Sequence, residues 1–257
     1  MTSTDPPAGE LVLRPAAPED AEAVAGVYLA TREAAVPAMP PQIHTPDEVR
    51  EHTRREIARQ ETWVATDGPD GAVIGYAALS GAWLEGLYVA PGHQGQGVGT
   101  ALLELAMARR PRGFALWVFA SNEGARRLYR RHGLVELEHT DGSGNEERSP
   151  DVRMDWPGQE PMSYFRAGID AVDDEIAVLL ARRQALAAAV QDRKAPGGHA
   201  GRDPERERAI AERMARHAPG LGADRMAQVM DTVISVGLDA WEKRRDASAD
   251  AGGGEVG

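Results

Sequence analysis

The chain has 257 residues, a formal net charge of −11, 42% hydrophobic residues and no cysteine. The acidity argues against nucleic acid or an anionic membrane as the main partner, and the lack of cysteine excludes disulfides, a thiol nucleophile and Cys-ligated zinc. No apolar run is long enough to cross a bilayer and the opening residues lack a signal peptide's basic and apolar regions, so a cytoplasmic protein of one large or two ordinary domains is expected.

Residues 1–9 read as a disordered leader. Leu11–Arg14 is strand-like, and Pro18-Glu19-Asp20 opens a helix through Ala21, Val24 and Tyr28. Pro37, Pro40, Pro41 and Pro46 make the next stretch a loop. Thr45, with Glu48 three residues on, caps a helix to about Gln60. Thr62–Thr66 and Ala72–Leu79 form a hairpin across Asp67–Gly71, and Trp83–Val89 is the next strand.

That strand runs into LYVAPGHQGQGVGTALL, Leu87 to Leu103. Pro91-Gly92 stops it, and Gly92, Gly95, Gly97 and Gly99 follow closely. From Val98 the apolar spacing is helical, through Leu102, Leu105 and Ala106. Such a turn aims backbone N–H groups and the positive end of a helix at one point, which suits a phosphate or pyrophosphate. Glycine there keeps side chains out of the anion's way. A tight turn that binds nothing fits the glycines equally well. The spacing is not that of a P-loop, since no Lys-Ser/Thr follows. For a dinucleotide fingerprint the third glycine falls one place early.

After the helix ending at Arg109, Phe114–Phe119 is a strand. Ser121-Asn122 starts another helix, closed by Gly133. Asn122, Ala125 and Tyr129 share one face of it, and periodicity alone makes Tyr129 a core aromatic. Residues 141–151 form a polar loop before a last strand, Val152–Trp156. That loop reads as a solvated hairpin loop, with an acceptor-binding role for Asn145, Glu146, Glu147 and Arg148 as the alternative.

The glycine turn resembles the pyrophosphate loop of the GNAT acetyltransferases, Gln/Arg-x-x-Gly-x-Gly/Ala, with Gln94, Gly97 and Gly99 in those places. The preceding run of Leu87, Val89 and Pro91 matches the family's strand end. Asn122 to Leu134 resembles its last helix, Asn-x-x-Ala-x-x-apolar-Tyr-x-x-x-Gly-Phe, with Leu134 for the Phe. The resemblance implies acetyl-CoA as co-substrate, bound by Leu87, Val89, Gln94, Gly95, Gly97, Gly99 and Asn122. It makes Tyr129 the acid that protonates the leaving thiolate. A base must also take the amine's proton. The family often has a Glu where this chain has Trp83. Glu85, two residues on and on the same strand face, is the candidate, with His44 as another.

Trp156–Pro161 reads as a linker, and strand-like patterns end there. From about Met162 to Lys194 one helix is expected, with Ile169, Val172, Ile176, Leu179, Leu180, Leu186 and Val190 as its apolar stripe. At about 100° per residue, Arg183 lies about 20° from Ile176, Lys194 in line with it and Arg166 about 80° away. Cations on an apolar face need a partner. Arg183 pairs with an acid, snorkels at a helix-bundle edge or, with Lys194, forms a pocket for an anion. Ala195–Gly201 is a loop, and Asp203-Pro204 starts a second helix that ends at Pro219-Gly220. A third runs from about Ala223 to Arg245, and residues 246–257 read as a disordered tail.

This half resembles the all-helical chorismate mutases, a three-helix fold paired as an intertwined dimer. Arg166, Arg183, Lys194, Asp203, Arg206 and Glu207 match the family's site without a gap. The resemblance implies that Arg183 and a partner copy's Arg166 grip the substrate carboxylates. Lys194 would donate to the ether oxygen and Glu207 would take the ring hydroxyl, with Asp203 and Arg206 in support. Where the family's third helix has a Ser and a Gln or Glu reaching the ether oxygen, this chain has Gly237 and Trp241. Ser235 and Glu242 are expected to point elsewhere. Loss of one such donor costs about 3 kcal/mol of transition-state stabilisation.

The expectation is therefore two domains. Residues 10–156 form an α/β GNAT fold with a mixed central sheet and flanking helices. Residues 157–161 are a linker, and residues 162–245 form an all-α three-helix chorismate mutase fold. The protein would be bifunctional, acetylating an unknown amine and turning chorismate into prephenate. The alternatives for the helical half are a non-catalytic chorismate or prephenate sensor, a dimerisation module, or an isochorismate lyase. No metal, nucleic acid or membrane is expected, and a homodimer is.

Overall fold

The computed structural model describes residues 10–193 and 202–252. The leader over residues 1–9, Lys194 and most of the loop after it lie outside the described residues. The chain forms two compact units, Met1–Ala167 and Gly168–Gly257.

The first unit is a seven-stranded mixed sheet: β1 (Leu11–Pro15), β2 (Glu61–Asp67), β3 (Val73–Ser80), β4 (Trp83–Val89), β5 (Phe114–Phe119), β6 (Val135–His139) and β7 (Asp151–Trp156). Their order is β1-β2-β3-β4-β5-β7-β6, and every neighbouring pair is antiparallel except β4/β5. Period-2 patterning gives the sheet two apolar faces. Tyr76 and Ala78 pack with Val64 against Val24 and Val27 of α1 (Ala21–Ala34). Ala77 and Leu79 pack instead with Leu102 and Leu103 of α3 (Val98–Arg109) and with Phe114. Gly75 makes that second contact close, since a Cβ there would sit 3.2 Å from both Val98 and Leu102 side chains. α2 (Pro46–Ile57) lies against α1 and begins with the expected Thr45/Glu48 capping box. α4 (Glu123–Arg131) packs Leu128 and Tyr129 into the α3 side.

Two local expectations change. β6 escaped the sequence reading because it is an edge strand with little buried surface; Val135 and Leu137 are exposed. Residues 156–161 are no loose linker. Gly158 turns the chain with φ +73°, and the Gln159 N–H donates to the Pro111 carbonyl at 3.0 Å. α5 (Pro161–Gln191) starts at once, its first turn tied to the sheet by the Tyr164 hydroxyl donating to Asp155 at 2.7 Å.

Glu61 joins β2 to the end of α3. It accepts from the Trp63 indole at 2.9 Å, from Arg110 at 2.8 Å and from Arg109. Burial pushes its carboxyl up, but these donors outweigh that and hold it at about 2. A depressed carboxyl stabilises the fold above its unfolded value near 4.3 and loses that contribution as pH falls toward 2. Glu61→Gln is therefore expected to cost about 1–2 kcal/mol at pH 7 and almost nothing at pH 2, read by urea melts at both pH values.

The second unit holds the rest of α5, then α6 (Pro204–Ala215) and α7 (Gly222–Gly252). α7 runs helical past Arg245, where a disordered tail was expected, because no proline or glycine interrupts residues 246–250. Asp203 caps α6, its carboxylate accepting from the Arg206 N–H at 3.0 Å. The apolar stripe of α5 remains uncovered: Ile169, Leu179 and Leu186 are 59%, 60% and 63% exposed, and Ala188 alone is buried on that helix.

Candidate active sites

β4 and β5 pair in parallel at Trp83/Ala115, with no further paired residues along the strands. Beyond that point they separate, and a cavity of about 800 Å3 opens between them. Leu87, Val89, Gln94, Gly95, Gly97, Gly99 and Asn122 all line it. The residues that the resemblance singles out for acetyl-CoA are thus brought together on one wall.

Gly97 is the N-cap of α3 in the left-handed region, with φ +89°, and no side chain caps the helix. Gly95 has φ +74°. A Cβ at either would meet open space, so glycine serves the backbone conformation there. The first N–H groups of α3 are left for a ligand, and the helix has no acid in its first turn to repel an anion. This suits a pyrophosphate. The Gln94 side chain donates to the Val89 carbonyl at 3.0 Å and so holds the turn. Asn122 caps α4 through Oδ1, which accepts from the Ala125 N–H at 3.1 Å. Its NH2 group stays available to the groove.

Glu85 sits on a bulge of β4. Ala78 pairs with Gly86 and Leu79 with Leu84, so Glu85 is the extra residue. Bulges re-aim side chains, and this one sets Glu85 where two cavities meet. Glu85, Gly86, Tyr88, Trp117, Phe119 and Glu147 line both the groove and a second cleft of about 810 Å3 under α1 and α2. Partial burial, then the charge of Glu56, pushes the Glu85 carboxyl above its ordinary range.

Tyr129 does not line the groove. Its ring is 7% exposed within the core, and its hydroxyl has no hydrogen-bond partner among the described residues. Burial alone pushes its phenol to about 12. Tyr88, which the sequence reading passed over, lines both cavities and is also pushed up by burial.

The loop at 141–150 is not merely solvated. Glu147 accepts from the buried Arg32 of α1 at 3.0 Å, and Glu146 meets His44 at 2.7 Å. His44 thus lines the second cleft through an exposed pair. The Arg32 guanidinium lies 5.4 Å from the Phe119 ring and 5.8 Å from Tyr28. Its signal was present in the sequence, since Arg32 follows Val24 and Tyr28 at steps of four on the inward face of α1.

In the helical unit, Arg183 is half-buried on α5 and has no ion-pair partner among the described residues. Arg166 and Arg206 are exposed. Glu207 is held by Arg202, with contacts of 2.6 to 3.2 Å, and this pairing lowers its carboxyl. Arg202 also contacts Asp231 and donates to the Ser235 hydroxyl at 3.3 Å. This corrects the expectation for Ser235, which faces the Glu207 cluster because α6 and α7 pack side by side. The Trp241 indole donates to Asp192 at 2.7 Å, so its only donor is engaged. A side chain at Gly237 would meet open space.

Among the described residues, no helix is long and apolar enough to cross a membrane, and no group of three or more acids or histidines is placed to hold a metal ion.

The acetyltransferase (GNAT) family model matches residues 28–134, and the chorismate mutase type II model matches residues 165–240. The chain is 37% identical over 127 residues to streptothricin acetyltransferase of Streptomyces lavendulae, which covers 44% of this chain and 66% of that protein. It is 35% identical over 128 residues to mycothiol acetyltransferase of Beutenbergia cavernae, covering 46% of this chain and 41% of that protein. The chain thus spans less than two thirds of either relative's length. Among solved structures, a GNAT superfamily phosphinothricin acetyltransferase from Sinorhizobium meliloti in complex with AcCoA aligns with a TM-score of 0.48 at 22% identity, over 60% of this chain and 91% of that one. One chain thus carries a GNAT acetyltransferase domain match over residues 28–134 and a chorismate mutase type II domain match over residues 165–240.

Proposed function

We propose that the first unit transfers an acetyl group from acetyl-CoA to a small amine, and that the second rearranges chorismate to prephenate. The observation that carries the first reading is Glu85, on the wall shared by two cavities, one of which ends at the uncapped start of α3. Those N–H groups and the Gly95–Gly97 backbone fit the pyrophosphate of acetyl-CoA, which supplies the acetyl thioester when bound. The amine enters from the cleft under α1 and α2. Glu85 takes its proton, directly or through one water. Tyr129, whose hydroxyl has no partner among the described residues, is the acid that the resemblance names for the departing sulfur, and Tyr88, which lines both cavities where Tyr129 lines neither, is the rival. Both curated relatives are acetyltransferases by name.

For the second unit, the support is a half-buried Arg183 with no ion-pair partner among the described residues, whose charge suits an anionic substrate class, with Glu207 kept ionised by Arg202. The rearrangement needs a held conformer and charge at the ether oxygen, with no nucleophile. The exposed α5 stripe is the surface a second copy would cover, in line with a homodimer. A second reading rests on Trp241 and Gly237: with no free donor at either place, the unit binds chorismate or prephenate and regulates the transferase.

The acetyltransferase reading is tested with the full chain, acetyl-CoA and a panel of amines, following thiol release against pH. A base must be ionised to act. Because Glu85 is raised, the acid limb of kcat/KM is expected above the ordinary carboxylate range. Glu85→Gln should lower kcat about a hundredfold and remove that limb. Survival of the limb in the variant would assign the base elsewhere.

A further inference from the structure

The acceptor cleft holds more negative charge than its own cations answer. Arg32 is matched by Glu147 and His44 by Glu146, while Arg55 is turned toward Glu51. Glu48 is engaged at the cap of α2. That leaves His52 and Glu56, one turn apart on α2, and Glu85 of β4, none with an ion-pair partner among the described residues. Glu56 and Glu85 line the same cleft, and the charge of Glu56 adds to the burial that pushes the Glu85 carboxyl up.

An independent feature lies in the floor. Thr62 pairs across the sheet with Ala78, and Ala78 with Gly86, so the three share a face. Thr62 lines the cleft and is 7% exposed, yet its Oγ1 has no hydrogen-bond partner among the described residues. A buried hydroxyl left unpaired is costly unless a ligand pairs with it. Tyr28 and Tyr88, with ring centroids 5.0 Å apart, add aromatic faces that favour an ammonium. The cleft volume, about 810 Å3, far exceeds what one amino group fills.

We propose that the acceptor carries at least two amino groups: the one beside Glu85 is acetylated, and another stays protonated and is held by Glu56, with the Thr62 hydroxyl as a further acceptor. This rests on reading the first unit as an amine acetyltransferase. In the transfer, the neutral nitrogen forms the new C–N bond as the thioester C–S bond breaks. The nitrogen's proton passes to Glu85, and the sulfur takes one from Tyr129. The distal ammonium keeps its charge throughout and serves only for recognition.

The test compares 1,4-diaminobutane with butylamine on the full chain, by acetyl-transfer kinetics and by calorimetric titration with and without CoA. The diamine should show at least tenfold higher kcat/KM than butylamine. Glu56→Gln should remove about tenfold of that advantage at a pH above the acid limb, leaving the KM for acetyl-CoA unchanged and altering butylamine kinetics only by moving the acid limb down as the Glu56 charge beside Glu85 is lost, and Glu56→Asp should keep most of it. Equal use of both amines, equal loss of both in Glu56→Gln, or no heat with the diamine would overturn the proposal. Failure of the chain to bind acetyl-CoA would overturn the transferase reading instead. Diamine heat that disappears in Glu56→Gln would then still support the cleft assignment.

Discussion

Tyr129→Phe is expected to lower kcat for acetyl transfer about a hundredfold while the Kd for acetyl-CoA stays within about twofold. The substitution removes one oxygen and leaves the ring in the core with Leu128 and Leu134. That oxygen has no hydrogen-bond partner among the described residues, so its loss costs the fold little. At about 12 its phenol is fully protonated at working pH, as a proton donor must be. Equilibrium titration with acetyl-CoA and single-turnover kinetics separate binding from chemistry. Tyr88→Phe belongs in the same experiment, because Tyr88 lines both cavities and Tyr129 lines neither. A larger kinetic loss in Tyr88→Phe than in Tyr129→Phe would move the acid to Tyr88. Equal loss of binding and rate in Tyr129→Phe would leave it a packing residue.

Arg183→Ala is expected to reduce prephenate formation about a hundred- to a thousandfold and to leave acetyl transfer unchanged. Truncating one partner of a buried, hydrogen-bonded charge pair costs about 2–5 kcal/mol, and here the other partner is a substrate carboxylate. Because Arg183 has no ion-pair partner among the described residues, its removal strands no acid there. The effect is therefore confined to substrate. Loss of chorismate absorbance by the full chain, with products separated by chromatography, provides the readout. Prephenate from the parent and little from Arg183→Ala supports the mutase. Pyruvate and salicylate from isochorismate would place the unit among the lyases. Binding of chorismate that Arg183→Ala abolishes, without turnover by the parent, would favour the sensor, for which the engaged Trp241 indole is the structural motive.

Much of this protein was legible without coordinates. Local chemistry places the strand, glycine turn and helix over Leu87–Leu103, because Pro91 ends pairing and the glycines supply positive φ. The Thr45/Glu48 box starts α2 for an equally local reason. The six polar positions from Arg166 to Glu207 are readable as a spaced set, although Lys194 falls outside the described residues.

What the order of residues does not contain is which distant walls meet. Glu85 becomes a candidate base through a bulge that depends on β3 pairing, and through the separation of β4 from β5. Arg32 and Glu147 are 115 residues apart, and their pairing turns a polar loop into part of the cleft under α1 and α2. Arg202 reaches across from the start of α6 to Asp231 and Ser235 on α7, which no helical periodicity within either element encodes. Sequence by itself determined most of the elements, the glycine turn and the resemblance of each unit to its family, since those rest on short-range backbone preferences and fixed spacings. Tertiary structure alone decided the cleft, its carboxylates without partners among the described residues and the burial of Tyr129, since burial and charge pairing exist only once distant segments pack.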